Sequence, residues 1–243
     1  AIDKYIATKD FMEVDKLKRR IIRLYEDDFR KINRSGKASM FFYNIPAQLN
    51  SGASRYMVGS VDKNSRASRI SELLQDMLDS MTINIAYHCN DPSVGMALTK
   101  DLETYKLFLS DTGLFITLAF MDKKITENIL YEKLLSDKLS ANLGYVYENV
   151  VAQILTSSGN ELYYHTMRVD SKKYEIDFLL SRGNKMVPIE VKSSGYKRHK
   201  SIDVFSSKYS DRISDKYLVY TKDYQKDKEI KMVPVYALPF LLE

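Results

Sequence analysis

Two segments of the amino-terminal half carry apolar residues at helical spacing. One spans residues 14–32, and the other spans residues 70–81 with Asn64 and Ser65 ahead of its periodic positions. Apolar residues that recur every three to four positions indicate amphipathic helices, and Asn and Ser favour helix N-caps. Both segments are therefore predicted to be helices, and the basic face of the first either is solvated or contacts phosphate.

Shorter segments beyond residue 82 alternate between apolar and polar positions. Residues 83–87 follow this two-residue period, which is typical of strands. Residues 105–109 are predicted to form another strand, and a turn-forming NDPSVG stretch lies between the two segments. Helices followed by two short strands favour a winged-helix-like unit, although other small α+β domains share the pattern. We therefore predict a helical, winged-helix-like region over residues 1–122.

The carboxyl-terminal half, residues 123–243, mixes helical and strand patterns. Turn-forming DSKK and RGNK stretches separate three successive strand patterns, which predicts a β-meander that follows a helix. This half is therefore predicted to be a separate α/β domain, and the whole chain belongs to the α+β class. The predicted helices are 127–135, 140–157 and 201–209, and the predicted strands are 162–169, 174–180, 186–192, 216–220 and 232–238.

Composition and charge narrow the class of protein. Of the 243 residues, 44% are hydrophobic and 28% are charged, which is typical of a globular protein. No apolar run approaches the roughly 20 residues that a membrane span needs, so no membrane association is expected. The single cysteine, Cys89, has no partner for an internal disulfide, which favours a reducing, cytoplasmic setting. A net charge of +5 permits nucleic acid binding without requiring it.

Three charged residues interrupt the apolar strands of the predicted meander. Asp177 lies in YEIDFLL, and Glu190 and Lys192 lie in VPIEVKSS. Since side chains alternate along a strand, Glu190 and Lys192 share a face, and Asp177 can lie across from them on the neighbouring strand. Charges in so apolar a setting are costly unless they are paired or ligated. The pattern therefore predicts that these three groups converge and that something compensates their charge.

Two neighbouring carboxylates favour a metal ion as the compensating charge. Asp177 and Glu190 would repel each other without a cation between them, and oxygen ligands favour Mg²⁺ or Mn²⁺. Such an ion activates water for phosphodiester hydrolysis, while Lys192 neutralises the charge that develops on the phosphate. The alternative is a buried ion-pair cluster of Asp, Glu and Lys that holds no metal.

Glu148 is a further acid that can reach the same group. It lies beside the apolar stripe of the helix predicted at 140–157, and its neighbours one turn away are Gly144 and Ala152. These small residues allow that face of the helix to approach a sheet closely. The alternative is that Glu148 lies at the boundary of the core and pairs with an exposed lysine.

The order of these residues resembles a known family. The stretches GYVYENVVAQIL, LYYHTMR, YEIDFLL and PIEVKSS resemble the nuclease-like domain of the PD-(D/E)xK superfamily. The form that they resemble is the domain of unknown function DUF4143, which is found at the carboxyl end of prokaryotic AAA+-type ATPases. Upstream, YKLFLSDTGLF and LKRRIIRLYEDDFRKI resemble segments of the same family, so the resemblance covers nearly the whole chain. Ile176 stands where the superfamily has a proline.

The resemblance implies a restriction-endonuclease-like domain with a central mixed sheet and a metal-dependent nuclease site. Asp177 and Glu190 match the metal-binding acids of the family, Lys192 matches its catalytic lysine, and Glu148 matches the acid on its first core helix. Mg²⁺ or Mn²⁺ is the implied cofactor, and nucleic acid, expected to be DNA, is the implied substrate. The chain contains no G-x-x-x-x-G-K-[ST] loop. It is therefore expected to be a carboxyl-terminal fragment whose partner is the ATPase domain of the same full-length protein.

Basic residues next to the predicted site are candidates for contacts with nucleic acid phosphates, although solvated loops have the same composition. Two hypotheses follow for the whole chain. The first is a Mg²⁺-dependent nuclease, and the second is a non-catalytic DNA-binding or protein-docking module that serves the ATPase. The candidate phosphate-binding residues are Lys197, Arg198, Lys200, Lys172 and Lys173.

Overall fold

The computed structural model describes residues 1–62, 67–122, 127–135 and 144–241. The chain divides into two compact units. The first comprises residues 1–51, 57–83 and 109–142, and the second comprises residues 52–56, 84–108 and 143–243. Within the described ranges, no helix combines the length and the apolar character that crossing a membrane requires.

The described part of the first unit is built from helices. The helices predicted at 14–32 and 70–81 are both present, whereas the predicted caps Asn64 and Ser65 lie outside the described residues. The helices of this unit are α1 (Ile2–Thr8), α2 (Phe11–Ile32), α3 (Lys37–Asn50), α4 (Val58–Val61), α5 (Ala67–Asp79), α6 (Thr112–Ala119) and α7 (Asn128–Leu135).

The second unit is organised around an eight-stranded mixed sheet, which confirms the predicted α/β character and the central mixed sheet. The strands, in chain order, are β1 (Ile83–Cys89), β2 (Lys100–Leu109), β3 (Leu162–Val169), β4 (Lys172–Arg182), β5 (Lys185–Val191), β6 (Lys216–Tyr220), β7 (Gln225–Asp227) and β8 (Ile230–Pro234). Their order across the sheet is β2-β1-β3-β4-β5-β6-β8-β7. Two further helices, α8 (Gly144–Ser157) and α9 (Lys200–Lys208), belong to this unit, and a 3₁₀ helix, Val235–Leu241, follows β8.

The predicted meander is present as three consecutive antiparallel strands. β4 pairs with β3 on one side and with β5 on the other, and both pairs are antiparallel. The outer pairs β1–β3, β5–β6 and β6–β8 are parallel, so the sheet is mixed. Residues 140–143 of the helix predicted at 140–157 lie outside the described residues, and α8 accounts for the rest.

The structure differs from the prediction in where the strands of residues 83–109 belong. The sequence pattern predicts that they belong to a winged-helix-like region over residues 1–122, but β1 and β2 extend the sheet of the second unit. β1 pairs in parallel with β3, with Tyr87 opposite Tyr163. Its first four residues are all buried, which is typical of a strand covered on both faces. Parallel pairing over so long a sequence separation leaves no local pattern, so the boundary at residue 122 missed it.

Lys18 is part of a buried polar group that joins α2 to α6 and α7 in the first unit. The residue is only 5% exposed, and its Nζ donates hydrogen bonds to the carbonyl of Gly113 at 3.2 Å and to the hydroxyl of Tyr131 at 2.5 Å. Burial lowers the pKa of Lys18 from 10.5 to about 8, although the charge of Asp15 opposes the shift. The charged ammonium is therefore held at a cost to the stability of this unit.

We predict that Lys18 makes the protein more stable as the pH rises from about 8 towards 10.5. In this range the unfolded chain binds a proton that the folded chain has released, so the free energy of unfolding increases with pH. Lys18→Met removes this increase, which corresponds to about 3 kcal/mol. Urea unfolding at several pH values measures it, with Lys31→Met on the exposed face of α2 as the control. Equal pH dependence in the wild-type and Lys18→Met proteins would contradict the prediction.

Candidate active site

Asp177 lies at an irregularity in the central strand of the meander. On β3, Tyr163 pairs with Leu179 and His165 pairs with Ile176. One residue therefore separates the paired positions on β3, whereas two residues separate them on β4. This is a β-bulge at Asp177 and its neighbour Phe178, and bulges commonly redirect side chains near functional sites. The carboxylate Oδ2 of Asp177 accepts a hydrogen bond from the backbone N–H of Val191 at 2.7 Å. The bulge thus fixes the Asp177 carboxylate against the end of β5.

Glu190 and Lys192 lie at that end of β5, as the sequence predicts. Glu190 is 2% exposed, and its Oε1 lies 2.8 Å from the Lys192 ammonium. Its Oε2 accepts a hydrogen bond from the backbone N–H of Ile202 in α9 at 3.2 Å. The side chain of Lys192 is 34% exposed, so this part of the site opens to solvent at the lysine.

Glu148 projects from α8 towards a lysine that the sequence analysis did not identify. This lysine is Lys106 of β2, whose Nζ lies 3.7 Å from Oε2 of Glu148. Lys106 also forms an ion pair with Glu175, which lies two residues before Asp177 on β4. Lys106 is only 5% exposed, so the alternative in which Glu148 pairs with an exposed lysine is wrong.

Together these residues form a group that we call the carboxylate cluster. Its acids outnumber its bases by four to two, so two negative charges lack a protein counterion when all the groups are ionised. The members are Glu148, Glu175, Asp177, Glu190, Lys106 and Lys192.

The pKa values within the cluster reflect this imbalance. Burial raises the pKa of Asp177 well above its ordinary range, and the charge of Glu148 adds to the effect while Lys106 opposes it. Burial likewise raises the pKa of Glu148, against the influence of Lys106. Burial lowers the pKa of Lys192, but the carboxylates around it, Glu190 first, outweigh burial and raise the pKa above 10.5. The cluster therefore favours bound protons or a bound cation.

A divalent cation fits the chemistry of these donors. Oxygen atoms of Asp177 and Glu190 are the hard ligands that Mg²⁺ and Mn²⁺ prefer, and an excess of two negative charges matches one such ion. In the part of the chain that the structure describes, no three His, Cys, Asp or Glu residues are arranged to hold a metal ion. Mg²⁺ commonly takes only one or two carboxylates and completes its coordination with water and phosphate oxygens. Two protein ligands are therefore enough for the ion that the sequence predicts.

The predicted phosphate-binding residues are exposed and lie outside the carboxylate cluster. Among the described residues, none of them forms an ion pair. Lys200 begins α9, and its ammonium lies 6.0 Å from the ring centroid of Tyr174 on β4, which places two of the predicted segments side by side. The exposed residues are Lys172, Lys173, Lys197, Arg198 and Lys200.

His199 fixes the basic segment to the edge of the sheet. Its Nδ1 lies 3.0 Å from Asp203 of α9, and its Nε2 lies 3.0 Å from Asp227 of β7. Burial lowers the pKa of His199, but the two carboxylates, Asp227 first, outweigh burial and raise the pKa above 6.5. The histidine therefore joins α9 to β7 and holds the exposed Arg198 and Lys200 on either side of it.

Lys106 and Glu175 are the cluster residues that sequence reasoning missed. Lys106 interrupts the apolar strand TYKLFLS in the way that Asp177 interrupts YEIDFLL. The same test, a charge in an apolar strand, would have identified Lys106. Glu175 precedes Asp177 by two residues and shares its strand, which is a weaker signal because strand ends commonly carry exposed acids.

One segment of the chain matches a known protein family. Residues 143–238 match a family described as "Domain of unknown function (DUF4143)". No curated protein matches the sequence. A solved structure described as protein VC1899 from Vibrio cholerae is 10% identical, with a TM-score of 0.28, over 94% of this chain and 54% of that chain. The chain thus spans about half the length of that protein.

The matched segment contains Glu148, Asp177, Glu190 and Lys192, whereas Lys106 precedes it. The DUF4143 part of the resemblance seen in the sequence is therefore confirmed for residues 143–238.

Proposed function

We propose that the carboxylate cluster is a Mg²⁺- or Mn²⁺-dependent site of the PD-(D/E)xK type that hydrolyses nucleic acid phosphodiesters. The observation that carries this proposal is the convergence of Glu148, Asp177, Glu190 and Lys192 from one helix and two strands, with more negative than positive charge. A purely structural ion-pair core would be expected to balance its charges, because unpaired buried charge is costly. The imbalance instead suits a site that takes up a cation.

Each residue has a role that follows from its surroundings. Asp177 and Glu190 would hold the cation, which when bound polarises a phosphate oxygen and activates water. Lys192 is held by Glu190 at 2.8 Å and is the most exposed member of these ion pairs, so its ammonium can meet the developing negative charge of the phosphate. Burial raises the pKa of Glu148 above its ordinary value, which favours a proton held on this carboxyl within the site.

The proposed substrate and partner of this chain rest on the same resemblance to the PD-(D/E)xK-type family. The exposed basic residues Lys197, Arg198 and Lys200 follow the Glu-x-Lys strand directly, and Lys172 and Lys173 begin β4. We propose that they contact the backbone phosphates of DNA, and that an AAA+-type ATPase domain of the same full-length protein is the partner of this chain.

We predict that the wild-type chain binds Mn²⁺ and that Asp177→Asn abolishes this binding. Asparagine has the shape of aspartate and keeps an oxygen that accepts the hydrogen bond of Val191, so the variant should fold while losing one charge. Calorimetric titration with Mn²⁺ measures the effect.

The matched control is Asp170→Asn, which removes a carboxylate from the exposed turn that precedes β4. Asp170 has a backbone φ of 49°, a conformation that asparagine tolerates, so its stability should be unaffected. Equal Mn²⁺ affinity in the wild-type, Asp170→Asn and Asp177→Asn proteins would show that Asp177 is not a ligand.

Phosphodiester cleavage is expected to depend on Lys192 separately from metal binding. Lys192→Met should retain Mn²⁺ binding and lose cleavage by about 100-fold or more, the usual effect of removing one group that stabilises the transition state. Cleavage of labelled single-stranded DNA, duplex DNA and RNA in the presence of Mn²⁺ provides the measurement. Lys185→Met, at the start of the same strand, is the control. Undiminished cleavage by Lys192→Met would remove Lys192 from the catalytic site.

A specific observation favours a second candidate, a non-catalytic DNA-binding or protein-docking module. Both oxygens of Glu190 already have protein partners, and Lys106 satisfies Glu148 and Glu175, so most of the cluster is paired without a metal ion. In that case the cluster would be a structural core, and the exposed basic residues would carry the function.

This second candidate predicts DNA affinity that requires no divalent ion and persists in EDTA. Replacing Lys197, Arg198 and Lys200 with Gln should weaken binding and reduce the dependence of log K on log salt concentration by roughly two to three. Fluorescence anisotropy at several salt concentrations measures both. The control replaces the exposed Lys222, Lys226 and Lys228 with Gln, which changes the net charge equally. Equal losses in the two triple variants would contradict a specific role for the basic segment.

A further inference from the structure

We propose that Lys106 is an internal counterion that restricts the carboxylate cluster to a single divalent cation. The inference rests on the proposed metal-dependent function and concerns a residue outside the segment that matches DUF4143. In this account Lys106 holds Glu148 and Glu175, and it leaves Asp177 and Glu190 as the pair that takes the ion. Lys106 is thus a positioning residue that sets how many ions the site admits.

The position of Lys106 is fixed by its surroundings. Lys106 is 5% exposed, and its ammonium lies 5.4 Å from the ring centroid of Tyr164 on β3. Tyr164 is itself fully buried and donates a hydrogen bond from its hydroxyl to the carbonyl of Ser54 at 2.6 Å. A lysine enclosed in this way cannot swing into solvent, so its charge stays among the carboxylates.

The contacts of Lys106 occupy the two acids that a second cation would need. Its ammonium forms an ion pair with Glu175 and lies 3.7 Å from Oε2 of Glu148. A metal ion bound to these same oxygens would lie within a few ångströms of a buried positive charge, where repulsion is strong because the local dielectric constant is low. Glu148 and Glu175 therefore serve Lys106 and not a second metal ion.

The charge balance leads to the same conclusion. With Lys106 present, the four carboxylates exceed the two ammonium groups by two charges, which one divalent ion neutralises. Without Lys106 the excess grows to three, and two carboxylates lose their partner. The site would then attract its first ion more strongly and acquire oxygen ligands for a second.

The test is a count of Mn²⁺ ions per chain in the wild-type, Lys106→Met and Lys106→Arg proteins. Calorimetry gives the stoichiometry and affinity, and electron paramagnetic resonance detects the coupling between two neighbouring Mn²⁺ ions. We expect one Mn²⁺ in the wild type and in Lys106→Arg, which keeps the charge. We expect two coupled Mn²⁺ ions in Lys106→Met, with the first bound about tenfold or more tightly than in the wild type.

Loss of the buried Lys106 ammonium can also unfold the chain, and Mn²⁺ tests this outcome as well. If Lys106→Met is unfolded without metal, Mn²⁺ should restore its native circular dichroism spectrum with two ions per refolded chain. Failure to refold in millimolar Mn²⁺ overturns the inference.

The failure of this inference is distinguishable from that of the proposed function. A wild-type chain that binds no Mn²⁺ overturns the metal-dependent function itself. A wild type and a Lys106→Met variant that each bind one Mn²⁺ with equal affinity leave that function standing and overturn the role of Lys106.

Discussion

The second unit depends on a single electrostatic constraint, the presence of four carboxylates with only two ammonium groups in a partly buried space. Lys106 offsets one of these negative charges, because its enclosed ammonium contacts an acid from α8 and another from β4. The bulge at Asp177 adds a carboxylate to the same space and ties it to the backbone of β5. In the proposed function a divalent cation takes up the remaining negative charge, whereas a closed ion-pair core would be expected to balance its charges.

The pairing of charges in the cluster also depends on the topology of the sheet. β2 precedes the DUF4143-matched segment in sequence, yet it supplies the lysine that pairs with Glu148 and Glu175 inside that segment. The parallel pairing of β1 with β3 is what brings β2 into the second unit. A fragment limited to residues 143–238 would therefore keep the acids and lose the buried cation that holds two of them.

Local patterns predicted those parts of the fold and site that depend on neighbours in sequence. The meander, α9 and the Glu-x-Lys strand follow from two-residue and 3.6-residue periods, and alternation places Glu190 beside Lys192. The helix α3 was missed because Pro46 and several polar residues interrupt its pattern. The strand partners of β1 and the contacts of Lys106 depend on pairing between segments that are far apart in the sequence. A local pattern of neighbouring residues does not reveal such pairing. The same limit explains why the bulge at Asp177 was not foreseen.

The central claim is that Asp177 and Glu190 hold one divalent cation while Lys106 keeps Glu148 and Glu175. The most direct measurement is a crystal structure of the chain grown in Mn²⁺, with anomalous diffraction recorded at the manganese edge. The account predicts one anomalous peak in the carboxylate cluster, bound by oxygens of Asp177 and Glu190, with Lys106 still paired to Glu175. An anomalous map with no peak in the cluster, or with Mn²⁺ bound to Glu148 and Glu175 in place of Lys106, would contradict it.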